Sequence, residues 1–127
     1  MGTRRAIHLP GIVHGPGRPA GSRIGNIILS ATLTGRSEEG ILPEDPRAQI
    51  HELFRTMTRF LDAAGATIDE VIRVNLRLTE PALREFVNEE WAILFHDEES
   101  LPTRIATFGP VAGDAIAELD LMAVTDN

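Results

Sequence analysis

The stretch from Asp45 to Gly65 constrains the fold more than any other part of the chain. Asp45 is a candidate N-cap, and Pro46 takes the first helical position, where its missing N–H leaves no helical bond unmade. Ile50, Leu53, Phe54, Met57, Phe60, Leu61 and Ala64 recur at spacings of three and four, and Gly65 supplies a stop. One long amphipathic helix follows, with an apolar stripe that must be covered by other elements. Thr67 to Glu70 then has the form of a capping box over a single turn. Beyond it Ile72, Val74, Leu76 and Leu78 alternate with Arg73, Asn75 and Arg77, the signature of a strand with one wet or interfacial face. Thr79 and Pro81 open a second helix, with Leu83, Phe86, Val87, Trp91 and Leu94 along one side.

The remaining segments read as strands and turns. "GIVHGPGRPAGSRIGN" (11–26) is crowded with Gly and Pro and reads as turns, and "NIILSATL" (26–33) as a short buried strand. "TRIATF" (103–108) and "AIAELDLMAV" (115–124) read as a final pair of strands joined by the turn-rich "GPVAGD". The order strand, helix, strand, helix, strand, strand predicts an α+β or α/β layer, with both helices on one face of a mostly β sheet. A chain of 127 residues suits a single domain over 1–127.

Composition removes several function classes. The formal net charge is -7, with every one of the 12 basic residues an arginine, so nucleic acid and anionic membranes are poor partners. Cys is absent, which excludes disulfides, a thiolate nucleophile and a cysteine metal site. Without Lys the chain has no side chain for a Schiff base. The opening "MGTRRAIHLPG" has no apolar run behind its arginines, so neither a signal peptide nor a spanning helix is expected, and a cytoplasmic location is the default. "HELFR" (51–55) has Arg55 where a zinc-protease helix needs its second His, and with four scattered His no metal site is expected. His8, His51 and His96 read as surface or turn residues. His14 sits in the Gly-rich loop, where it could border a cavity.

Two charges resist a bland account. Arg104 lies within "TRIATF", and Glu118 shares a strand face with Ile116, Asp120 and Met122, although burying an unpaired carboxylate costs several kcal/mol. The structural alternative is a partly buried Arg104–Glu118 ion pair closing a hairpin. The functional alternative has Arg104 offer a bidentate fork to a substrate carboxylate while Glu118 handles a proton or orients a water. The hairpin register decides whether the two share a face, and the residues leave it open.

"GNIILSATLTG", "LDAAGATIDEVIRVNLRLTE", "FVNEEWAILF", "LPTRIA" and "AIAELDLMAV", taken in order, resemble the Rid (YjgF) family over nearly the whole chain. The resemblance implies a chorismate-mutase-like α+β domain, a homotrimer with clefts between subunits, and hydrolysis of enamines and imines to carbonyl compounds and ammonia without a cofactor. An older label for the family is endoribonuclease, a reading that the charge and the lack of a His pair with a Lys disfavour. The family's P-x-R motif falls on Pro102-Thr103-Arg104, which implies that Arg104 binds the substrate carboxylate. Its acidic residue falls on Glu118, implied to position or activate the water. Asn88 matches a recurrent helix asparagine, read as structural. Departures are plain. The loop tyrosine has no counterpart, Gly17 or Arg18 standing near its place, and the usual Ser-Gly is replaced by Ala31-Thr32. Ala31, Thr32, Arg18 and His14 are therefore the candidate substrate-binding residues beside Arg104. The expected substrates are carboxylate-bearing enamines or imines, 2-aminoacrylate-like or larger and aminomuconate-like. A member that only binds a small carboxylate metabolite is the alternative.

Overall fold

The computed structural model describes residues 2–126. Its elements are β1 (Arg5–Ile7), β2 (Gly21–Ile24), β3 (Ile27–Ser30), β4 (Leu33–Thr34), α1 (Pro46–Ala64), β5 (Val71–Leu78), α2 (Arg84–Leu94), β6 (Thr103–Phe108) and β7 (Ala117–Val124), with 3-10 turns at Ile68–Glu70 and Pro81–Leu83. The long helix forms where its caps predict. The Ala48 N–H donates to Asp45 Oδ2 at 2.9 Å, and Gly65 leaves the helix at φ 82, a left-handed conformation that favours glycine.

The strands form one mixed sheet in the order β1-β2-β3-β7-β5-β6, with β4 also lying along β7. This overturns the terminal hairpin. β6 runs parallel to β5, Arg104 opposite Val74, whereas β7 runs antiparallel on the other side of β5, with Glu118 opposite Arg77. Parallel neighbours need a crossover, and α2 provides it between β5 and β6. The 109–116 connection then steps over β5, across the roughly 10 Å that separates alternate strands.

Alternation on β5 and β7 separates two faces. Val74, Leu76, Leu78, Leu119 and Leu121 point to the helices and join Leu53, Phe54, Met57, Phe60 and Val87 in one core. Arg73, Asn75, Arg77, Glu118 and Asp120 belong to the opposite, open face. That face also carries Ile24, Ile27, Leu29 and Ile105, which are 42–52% exposed. The apolar run 26–33 is thus not a fully buried strand, because Ile27 and Leu29 point away from the helices.

Two further departures shape the site. The Gly- and Pro-rich 11–26 segment is not all turn: β2 emerges from it and pairs with both β1 and β3. Gly21 opens β2 where a Cβ would come within 2.4 Å of Phe60 Cζ, so only glycine lets the strand lie on that ring. Along β7, Leu29 faces Met122 but Leu33 faces Leu119, one residue more on the first side than on the second. This is a β-bulge at 30–32, and the Leu121 N–H donates to Ser30 Oγ at 2.9 Å in place of a ladder carbonyl.

Buried polar groups lock the layers together. Gln49, on α1, donates from Nε2 to the Pro43 carbonyl at 2.9 Å and accepts the Ile116 N–H on Oε1 at 2.8 Å. On the surface, His51 of "HELFR" pairs with Glu90 of α2 through Nδ1 and Oε1 at 2.9 Å. The Glu70 carboxylate closes the turn after α1, accepting the Thr67 N–H at 2.9 Å and the Asp126 N–H at 3.1 Å. Hydrogen bonds from the Thr125 side chain first, then from the Thr67 backbone, hold its pKa below the usual carboxylate range. A depressed folded-state pKa gives stability that is complete above the unfolded-state pKa and is lost as pH falls through the folded-state value. Glu70→Gln should therefore flatten this part of the acid limb, seen as a weaker pH dependence of the thermal midpoint below about pH 4.5.

Candidate functional site

Arg104 stands on the edge strand β6 and, being opposite Val74, points to the helix side. There it meets α2. Its Nη2 donates to Asn88 Oδ1 at 2.7 Å, and its guanidinium carbon lies 5.1 Å from the centre of the Trp91 ring, within cation–π range. Asn88 and Trp91 are one helical turn apart, so a single face of α2 both orients and stacks the guanidinium. Partial burial first, and then the neighbouring Arg84, push its pKa below the ordinary arginine value, yet it remains a cation at any physiological pH. Among the described residues no carboxylate forms an ion pair with Arg104. A half-buried cation held by a neutral amide and a ring is a ready receptor for an anion.

Glu118 occupies a different place. It is half-buried on the open face and pairs across the ladder with Thr34 on β4 and Arg77 on β5. Positions 74 and 77 lie three apart on β5, so their register partners Arg104 and Glu118 fall on opposite faces of the sheet. The ion pair considered from the sequence does not form within one chain.

Glu118 lines a cavity of about 260 Å³ together with His14, Thr32, Thr34 and Arg36. The bulge explains this grouping. It turns the Thr32 carbonyl out of the ladder, where it meets His14 Nε2 at 2.5 Å. A carbonyl only accepts, so Nε2 carries a proton and donates it. The His14 Nδ1 is buried and has no hydrogen-bond partner among the described residues. A second cavity, of about 230 Å³, touches Glu118 from the other side and is lined by Thr32, Asn75, Arg77, Thr107 and Asp120. In it Asn75 Nδ2 donates to Asp120 Oδ1 at 2.8 Å.

Of the residues singled out from the sequence, His14, Thr32 and Glu118 thus come together. Arg18 does not join them, lining a neighbouring cavity that also includes Ile12, Val13 and His14. Ala31 lines neither cavity at Glu118, and its N–H is already donated to the Ala20 carbonyl at 2.7 Å. Sequence reasoning missed two participants. Asn88, read as structural, is the residue that holds Arg104, and its one-turn spacing from Trp91 was the available signal. Arg36 lies in the charged "TGRSEEG", where no local pattern marks it.

A small α+β domain with an unpaired arginine on its edge strand and a carboxylate in a bulge-lined cavity is the class that fold and site define. No family model and no curated protein matches the chain. Solved structures do. A translation initiation inhibitor described as probable, from Rhodopseudomonas palustris, is 23% identical with a TM-score of 0.88 over 98% of this chain and 100% of that one. RidA from an Antarctic Psychrobacter is 21% identical with a TM-score of 0.85 over 95% and 99%. TdcF from E. coli, solved with bound serine, is 20% identical with a TM-score of 0.84 over 96% and 99%. The chain has the RidA/YjgF fold. No helix among the described residues is long and apolar enough to cross a membrane.

Proposed function

We propose that the chain is a divergent Rid-family deaminase, a cytoplasmic homotrimer that hydrolyses carboxylate-bearing imines and enamines. The observation that carries this reading is Arg104, oriented by Asn88, set over the Trp91 ring and, among the described residues, left without an acidic partner. The placement of Glu118 supports a site built from two copies. Since the two residues lie on opposite faces of one sheet, a substrate touching both takes Arg104 from one copy and Glu118 from another. The exposed apolar residues of the open face, Ile24, Ile27, Leu29 and Ile105, suit burial between copies. The serine bound by TdcF, a small molecule with a carboxylate beside a nitrogen, is a ligand of the expected kind. The net charge of -7 supports a small-molecule substrate over nucleic acid.

The chemistry follows from these placements. Arg104 fixes the carboxylate and thereby the adjacent C=N carbon. Glu118 accepts a hydrogen bond from a water and aims its lone pair at that carbon. The C–O bond forms as the π pair of the protonated imine moves to nitrogen, giving a carbinolamine. Transfer of a proton from oxygen to nitrogen, expulsion of ammonia and loss of the remaining hydroxyl proton give the carbonyl. The sum is C=NH2+ and H2O yielding C=O and NH4+. An enamine enters after protonation at carbon.

The test is to generate 2-aminoacrylate and larger imino acids in situ and follow ammonia and carbonyl release above the buffer rate. Binding without turnover would favour the metabolite-binding alternative. A sedimentation mass near one chain would remove the two-copy site.

A further inference from the structure

The deaminase reading gives Arg36 no role. Arg36 follows β4 and is half-buried against the cavity that holds Glu118. Its Nη1 donates to the Gly40 carbonyl at 3.1 Å, and among the described residues it forms no ion pair. The backbone at this residue is firmly held, its carbonyl accepting from Arg59 Nη2 at 2.8 Å and from Thr56 Oγ1 at 3.3 Å. Arg59 itself faces Glu52 at 3.9 Å and does not line the cavity. Arg36 thus stands on a held backbone, its guanidinium tethered by one hydrogen bond with donors to spare.

A charge balance shows what it suits. A protonated imino acid with one carboxylate is neutral overall. Its two ends are matched by Arg104 of one copy and Glu118 of the other; Arg77 and Asp120, the other charges beside Glu118, are of opposite sign and cancel, which leaves Arg36 as the cation in excess. Taking a cation partly out of water without a counter-charge is costly. A second carboxylate on the substrate supplies that counter-charge, and the planar fork of arginine is suited to a bidentate contact with it. The cavity has room: about 260 Å³ lies between Arg36, Glu118, Thr32 and Thr34, far more than one water needs. The His14 Nε2–H is committed to the Thr32 carbonyl.

We infer that Arg36 is a specificity residue that binds a second, distal carboxylate, so that the preferred substrates are imines of dicarboxylic acids. This assignment rests on the deaminase reading. The distal carboxylate docks on Arg36, the protonated nitrogen lies toward Glu118, and the carboxylate beside the C=N carbon reaches Arg104 of the neighbouring copy. Arg36 takes no part in bond making.

The experiment compares imines made in situ by oxidation of aspartate and glutamate with the imine made from alanine. Wild type should show a kcat/KM at least ten times higher for the dicarboxylate imines, as one charge-assisted contact predicts. Arg36→Gln should abolish that preference by raising KM for the dicarboxylate imines toward the value for the alanine imine. Arg36→Lys should restore part of the preference, which separates lost charge from a damaged loop. A wild type that hydrolyses the alanine imine equally well or better overturns the Arg36 assignment and leaves the deaminase reading standing. A wild type inactive on every imine overturns that reading. Binding then decides for Arg36: succinate should raise the thermal midpoint of wild type but not of Arg36→Gln, with propionate raising neither. Equal responses of wild type to succinate and propionate overturn the assignment.

Discussion

Replacing Arg104 by alanine should lower kcat/KM for 2-imino acids by about a hundredfold or more, the equivalent of roughly 3 kcal/mol for a hydrogen-bonded charge pair. Misplacement of the C=N carbon adds to the loss of the contact itself. The fold should hardly notice. Arg104 is half-buried on an edge strand, and its removal leaves Asn88 Oδ1 free to take water on an exposed stretch of α2. Arg104→Lys should recover only part of the rate, because one ammonium cannot bond Asn88, sit over the Trp91 ring and grip both carboxylate oxygens together. Steady-state kinetics beside a thermal melt separates these effects. Equal rates for wild type and Arg104→Ala would end the deaminase proposal.

The second large effect is on stability. Phe60 is fully buried on the core stripe of α1, and its ring lies directly against Gly21 of β2. Phe60→Ala should cost about 3–5 kcal/mol, combining lost transfer energy with the void left behind. Small domains hold only about 5–15 kcal/mol in total, so the urea midpoint should fall by a large fraction of its wild-type value. Gly21→Ala probes the same contact from the other side. Its new methyl would strike the Phe60 ring and the Leu29 carbonyl, the second of which is backbone and cannot swing away. A Phe60→Ala loss below about 1 kcal/mol would mean that the ring is not packed as described.

The parts of the fold that were legible in the sequence are those with long, punctuated periodicity. α1 has seven apolar positions in phase between an N-cap and a glycine stop, and β5 alternates from Arg73 to Leu78, whereas Ile72, expected in phase with Val74, is exposed where the register shifts between Val71 and Arg73. The hairpin expectation failed for a physical reason. Alternation within "TRIATF" and "AIAELDLMAV" shows that each is a strand, but not which strand becomes its neighbour. Both pair with β5, one along each of its edges, and its apolar face lies under the helices. The bulge at 30–32 was equally hidden, being a mismatch between two strands and not a property of either. In the site, Arg104 and Glu118 were legible as charges in apolar strands, and His14 and Thr32 fell where the bulge could gather them. Arg36 gave no warning, since a lone arginine in a polar loop looks like any solvated charge.

The placement of Arg104 and Glu118 on opposite faces has a genetic counterpart. If each site draws one residue from either copy, the defects of Arg104→Ala and Glu118→Gln are complementary: every copy of one variant still carries what the other lacks. Two inactive alleles expressed together should then restore function that neither gives alone. With random assembly of equal amounts into rings, about one interface in four regains both residues, and activity should return to roughly that fraction of wild type. Persistent inactivity after subunits have exchanged would mean that the two residues do not meet across an interface.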